Sequence, residues 1–233
     1  MSLYLWINIL SVIGTLLFSF DKKVRFYTLW KTLFPAILIV GSIFITCSVY
    51  FTDIGVWGFN SSSLSGLLFF NLPIEECLFL LTIPFVFVFL YEVIKVYFPK
   101  FRPIHFSYYF SLLFTLTAVL LAIIYRDNQY TFVTLLTAGI INWIIYFGYT
   151  PRWYPYFIIT FFILLLPLFF INGMLTVSMI YSPIIWYNES AIIGFRIFNI
   201  PMEQIFYNFS LFFSVVVVHE YLSYLWEQKT KST

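Results

Sequence analysis

Charge is what this chain most lacks. Of its 233 residues, 12 are Lys or Arg and 10 are Asp or Glu, so charged side chains make up only 9%. A soluble domain carries roughly 25% charged residues, and a water-facing surface cannot be covered with so few. Because 62% of the residues are apolar, most side chains must face lipid or one another. Inside lipid the backbone has to satisfy its own hydrogen bonds, which leaves helix bundles or closed barrels. Long apolar runs, rather than short alternating segments, select helices. The net charge of +2, without any basic block, gives no footing for a nucleic-acid partner.

Cysteine and histidine are almost as scarce. Cys47 and Cys77 lie in apolar runs without Cys-x-x-Cys spacing, so neither a disulfide nor a metal site is indicated. His105 and His219 have no second ligand at i+3 or i+4 and read as interfacial or packed histidines. No Gly-x-Gly-x-x-Gly is present to support a dinucleotide site. An Asp-rich pair able to hold magnesium on a diphosphate is also missing. No cofactor is expected. The N-terminus has neither a basic n-region nor a small-residue cleavage site, so it reads as a first membrane helix.

What the sequence does hold is a series of apolar stretches at roughly 3–20, 33–51, 73–97, 104–125, 130–147, 154–171 and 201–226. The expected fold is an all-α integral membrane protein with about seven transmembrane helices. Lys22, Lys23, Arg25, Lys31, Lys95, Lys100, Arg102, Arg152, Lys229 and Lys231 fall on one side of such a bundle, and Arg126 and Arg196 on the other. That bias places the N-terminus outside and the C-terminus in the cytoplasm. A bacterial inner membrane is the expected location.

A repeat appears at an offset of 128 residues. Asn60 maps to Asn188, Gly66 to Gly194, Phe70 to Phe198 and Asn71 to Asn199. Pro73 maps to Pro201, Glu75 to Glu203 and Glu92 to Glu220. The expected organisation is a 3+1+3 parallel repeat. Residues 1–98 form one three-helix unit, 99–128 a linking transmembrane helix, and 129–233 the second unit with a cytoplasmic tail. The two halves would be related by an axis near the membrane normal, with a site between spans three and seven.

The repeated Asn-x-Pro-x-Glu is the best candidate for chemistry, because ionisable groups in membrane spans are costly and mark function. A plainer reading is also open. Pro73 and Pro201 suit the first turn of a helix, where Glu75 and Glu203 would complement its dipole. That reading explains less well why Glu76 follows at once, or why apolar Leu64 to Phe70 precedes the motif. Glu92 lies about 25 Å along a straight helix from Glu75. It reads, with Glu220, as a helix-end acid snorkelling or packing near Lys95. Arg196 serves equally as a partner for a glutamate or as a surface charge. Aromatics reach 24%, and a subset lining a pocket could stabilise a cation.

These residues resemble a known family. The run Ser19-Phe-Asp-Lys-Lys-Val-Arg-Phe-Tyr-Thr-Leu-Trp-Lys31 with Phe34-Pro-Ala36 is similar to the start of the membrane-type lycopene cyclases. Phe51-Thr52, Gly55-Val-Trp-Gly-Phe-Asn60, Asn71-Leu-Pro-Ile-Glu-Glu76 and Tyr91-Glu92 continue the match. In the second half Asn172-Gly-Met-Leu-Thr176, Pro183, Trp186-Tyr-Asn188 and Arg196-Ile-Phe-Asn-Ile-Pro-Met-Glu203 resemble the same family. The resemblance spans almost the whole chain. Departures fall at Cys47-Ser48, Asn60-Ser-Ser-Ser63, Ser182 and Gln204. The family pattern carries Trp-Asp at the first of these, a Tyr in the second, and an acid at each of the last two.

The resemblance implies an intramolecular lyase or isomerase that closes the linear ψ-ends of lycopene into β-ionone rings without net redox change. It places the catalytic acids at Glu75, Glu76 and Glu203. Asn60, Asn71, Asn188, Arg196 and Asn199 are expected to bind substrate. The partners expected are the lipid bilayer and a carotenoid, with self-association or contact with other carotenoid enzymes left open. Two other functions fit the same residues, a small-solute transporter with parallel repeats and a non-catalytic carotenoid-binding relative.

Overall fold

The computed structural model describes residues 2–101, 103–176, 183–197 and 199–231. Arg102, Phe198 and Ser182, which entered the charge count, the repeat and the family comparison, lie outside the described residues. Seven α-helices occur among the described residues: α1 Leu3–Phe18, α2 Trp30–Asp53, α3 Ile74–Tyr97, α4 Ile104–Ile124, α5 Gln129–Tyr149, α6 Tyr154–Thr176 and α7 Glu203–Lys231. Each of α2 to α7 is long and apolar enough to cross a membrane, whereas α1, with 16 residues, is shorter. At 1.5 Å per residue α1 reaches about 24 Å, somewhat less than a hydrocarbon core of about 30 Å.

The helix ends are set by local chemistry. Ser2 caps α1, its hydroxyl accepting from the Leu5 N–H at 3.2 Å. At the end of α2, Gly55 takes φ +72°. The N–H of Val56 bonds back to Phe51 O and that of Gly55 to Thr52 O. This is a Schellman closure, and it turns the chain sharply out of the helix.

The turn delivers the chain into β1 Trp57–Phe59, which pairs antiparallel with β4 Ile185–Tyr187. Gly58 faces Trp186 at the centre of that pairing. Matched bonds flank it, Asn60 N to Ile184 O at 2.9 Å and Asn188 N to Val56 O at 2.8 Å. Two tight hairpins follow, β2 Leu68–Phe69 with β3 Leu72–Pro73, and β5 Arg196–Ile197 with β6 Ile200–Pro201. Each hairpin leads almost directly into a central helix, α3 or α7. The sequence reading treated these stretches as connections without strands. They are too short to carry a period-2 signal and are set by pairing over long sequence distances.

Helices α3 and α7 are the core. The span windows of both are 61% buried, against 28–39% for α2, α4, α5 and α6. Packing runs α1 on α3 and α5 on α7, while α2 leans on α7 and α6 on α3. The N-termini of α1, α3, α5 and α7 meet at one end of the bundle, beside the strand pairs. Apolar side chains such as Leu17, Leu38, Leu120 and Leu166 stay exposed on the helix flanks, as a lipid-facing surface requires.

A second polar cluster lies at the opposite end. Lys95 Nζ reaches Glu92 Oε1 at 2.9 Å and Glu220 Oε1 at 2.5 Å. Tyr91 donates to the same Glu220 oxygen at 2.5 Å. His219 Nε2 stands 3.7 Å from Glu92 Oε1, and its Nδ1 lies 3.2 Å from the Thr32 hydroxyl. The repeated acids Glu92 and Glu220 thus share Lys95 in a knot joining α2, α3 and α7, in line with helix-end packing.

Candidate active site

The geometry of the carboxyls follows from the hairpins. Pro73 ends β3 and caps α3, so Glu75 and Glu76 fall in the first helical turn. Glu75 is fully buried. Its Oε1 accepts from the Ser2 hydroxyl at 2.8 Å and from the Ser65 N–H at 2.7 Å. Glu203, fully buried in the first turn of α7, is held the same way. Its Oε1 accepts from the Thr131 hydroxyl at 2.5 Å and the Ile193 N–H at 2.7 Å. The amide donor stands ten residues before the glutamate in both cases, followed by Gly66 or Gly194 at φ +83° and +85°. In each carboxyl the second oxygen, Oε2, is buried and has no partner among the described residues. Two strong bonds on one oxygen and none on the other is an uneven arrangement that protein interiors rarely keep.

Glu76 points elsewhere. Its Oε2 accepts a short hydrogen bond from the Tyr4 hydroxyl of α1, and it lines a central cavity of about 30 Å³. That volume has room for a water or two. The cavity lies between the two central helices. Across it from Glu76 is Gln204 of α7, whose amide donates to the Tyr187 hydroxyl at 2.7 Å. Asn172 and Asn208 add further polar groups. The remaining walls are aromatic, from Tyr4, Trp57, Phe59, Phe79, Tyr187 and Tyr207, with aliphatic Leu80 and Ile185. Trp57 is the hub of this cage, 5.1 Å from Tyr130 and 6.2 Å from both Tyr187 and Tyr207, all edge-on. Its indole N–H is satisfied by Thr52 Oγ1 at 2.9 Å.

The asparagines and the arginine lie in the loops around this site. Asn60 Oδ1 accepts from the Ser62 N–H and hydroxyl, and Asn188 Oδ1 from the same two groups of Ser190. Each closes a tight Asx turn beside the β1–β4 pair. Asn71 Nδ2 donates to Val49 O at 3.1 Å, tying the first hairpin to the end of α2. Asn199 sits at φ +66° in the second hairpin. Its carbonyl accepts from Arg196 at 2.9 Å, and Arg196 also pairs with Glu189. None of these five is among the residues lining the central cavity.

The cavity residues missed in sequence include Tyr4, Tyr207 and Asn208, while Trp57, Phe59, Asn172 and Tyr187 appear only inside longer quoted runs. A tyrosine on an apolar helix carries no mark separating a cavity wall from an interfacial belt. Three of the positions departing from the family pattern, Cys47, Ser48 and Gln204, lie here too. Gln204 lines the cavity, Ser48 bonds the Tyr207 hydroxyl at 3.0 Å, and Cys47 borders the same tyrosine from α2.

Fold and site together define a helical membrane protein with carboxyls buried among aromatic side chains at one end of its two central helices. A model of the lycopene cyclase family matches residues 1–94 and 127–222, and the chain belongs to that family, whose members are enzymes of carotenoid cyclisation. The unmatched stretch between the two segments contains α4. No curated protein and no solved structure matches the chain.

Proposed function

We propose that this protein closes the ψ-ends of lycopene into β-ionone rings in the membrane, with Glu76 as the acid nearest the reacting carbon. The observation carrying this reading is Glu76 itself, a carboxyl bordering an aromatic cavity between the central helices. The reaction needs a proton added at C2 of the terminal double bond. The cation left at C1 is attacked by the C5–C6 double bond, forming the C1–C6 bond. Loss of the C6 proton gives the β-ring, so one proton enters, one leaves, and no electrons are exchanged. The requirements are a proton donor, a base and exclusion of water. Aromatic faces such as Trp57 and Tyr207 stabilise the cation on its way.

Glu75 and Glu203 complete the acid–base set on this reading, since each has one buried carboxyl oxygen without a hydrogen-bond partner among the described residues, at the same end of the bundle. Asn60, Asn71, Asn188, Arg196 and Asn199 act through the loops, holding the strand pairs that bring these carboxyls into place. The matched bonds of Glu75 and Glu203 support a 3+1+3 parallel repeat, and on this reading seven helices cross the membrane. The units on this reading are 1–98 and 129–233, joined by 99–128.

Expression in a lycopene-accumulating host, with pigments separated by chromatography, tests the assignment. Glu76→Gln is expected to lower ring formation by about 10²–10⁴-fold, the usual contribution of a general acid. The bundle should stay folded. Normal cyclisation by Glu75→Gln, Glu76→Gln and the double variant together discards the assignment.

A further inference from the structure

The central cavity is too small for the chain of a C40 polyene, so the body of the substrate has to lie elsewhere. A groove of about 220 Å³ opens on the flank of the bundle between α2, α5 and α7. It meets the central cavity at Tyr207, a wall of both. From there it runs down three helices in the same direction. On α7 it passes from Tyr207 to Ser214, on α5 from Val133 to Ile141, and on α2 from Phe51 to Val40. Those intervals are about 10–17 Å of helix at 1.5 Å per residue.

The groove therefore starts beside the carboxyl end and descends toward the middle of the bilayer. Its floor is apolar or made of small hydroxyl residues such as Thr134 and Ser210. Those hydroxyls can bond back to their own helix, as Ser210 does to Phe206 O at 2.9 Å. Among the described residues no charged side chain lines it. A narrow, uncharged, lipid-open slot ending at a carboxyl cavity fits a linear isoprenoid hydrocarbon better than a solute with polar groups along its length.

We propose that the α2/α5/α7 groove seats the polyene chain and that Tyr207 is the gate past which its end reaches Glu76. The occupant named here rests on the cyclase reading above. Thr137 and Cys47 lie exposed on opposite walls of the slot, so their size sets whether a chain can lie in it.

Binding can be read without turnover. In the Glu76→Gln protein, purified from lycopene-accumulating membranes, the bound polyene is measured by its visible absorbance per mole of protein. Adding Thr137→Trp should reduce it at least tenfold. Ile140→Trp, on the exposed face of the same helix and not lining the groove, should leave it unchanged. Equal retention by both variants overturns the proposal, as does equal loss. Cys47 gives a second readout in the otherwise unaltered protein. Modification by a bulky membrane-permeant maleimide should block polyene binding, bound polyene should slow the modification, and Cys47→Ser should remove the effect. Polyene held in the groove by a wild-type protein that forms no rings would sink the cyclase reading and leave the groove standing. Rings formed normally by Thr137→Trp would do the reverse.

Discussion

The bond between Tyr4 and Glu76 links the shortest helix to the cavity. The tyrosine is buried against Phe79 with ring centroids 5.6 Å apart, so its ring is fixed by packing and its hydroxyl is aimed. Tyr4→Phe keeps the ring contact and removes only the hydroxyl. A hydrogen bond to a charged group contributes about 1.5–3 kcal/mol, or roughly 10–100-fold in rate. The variant is expected to lose that much turnover and also to unfold at a lower thermal midpoint, because a buried Glu76 oxygen loses its partner, measured by product formation and by unfolding in detergent. An unchanged turnover would mean that the bond plays no part in placing the acid. At this scale the sequence is only half legible. Glu75, Glu76 and Glu203 stand out because charged residues are scarce, but Tyr4 is one of 18 tyrosines. What singles it out is a contact 72 residues away. The contrast between Glu75, tied into the hairpin, and Glu76, facing the cavity, is likewise set by the helical turn and could not be read from two adjacent letters.

Short strands position these helices more than their own length suggests. The β1–β4 pair joins the two loops that cover the cavity, and Gly58 lies where a larger residue cannot fit. A Cβ at that position would come within 2.2 Å of the Trp186 ring. Gly58→Val should cost about 1–3 kcal/mol by overpacking, seen as a lower thermal midpoint. Trp186→Ala in the same chain should recover most of it, because the two residues share one contact. Absence of recovery would show that the glycine serves the backbone rather than the indole. The seven helices were legible from apolar runs to within a few residues at most ends, since lipid imposes its length directly on sequence. The three strand pairs were not, because a two-residue strand leaves no period to detect. The 128-residue offset nevertheless pointed to both hairpins through their shared Asn and Pro.

For the whole molecule, the two ends of the bundle have opposite characters. The carboxyl end keeps its acids buried with hydroxyl and amide donors, while the far end neutralises Glu92 and Glu220 with Lys95. Removing one member of a buried ion cluster typically costs about 3–5 kcal/mol, so the far end is a structural clamp between α3 and α7. Most Lys and Arg flank that end, and on the positive-inside rule we propose that it faces the cytoplasm. The carboxyl end then opens toward the outer leaflet. In the orientation we propose, with the N-terminus outside and the C-terminus in the cytoplasm, the chain crosses seven times and α1 spans with only 16 residues. A thinner local bilayer accommodates a short helix at a fraction of a kcal/mol per Å. Single cysteines test this once Cys47 and Cys77 are replaced by serine. Ser61→Cys, in the loop after β1, should react with an impermeant maleimide on intact bacterial cells. Glu227→Cys, near the end of α7, should react only after the membrane is permeabilised. The opposite pattern would invert the protein, and labelling of both in intact cells would mean an even number of crossings between them. Ser2→Cys reads α1 itself, labelling in intact cells if α1 crosses and only after permeabilisation if it does not.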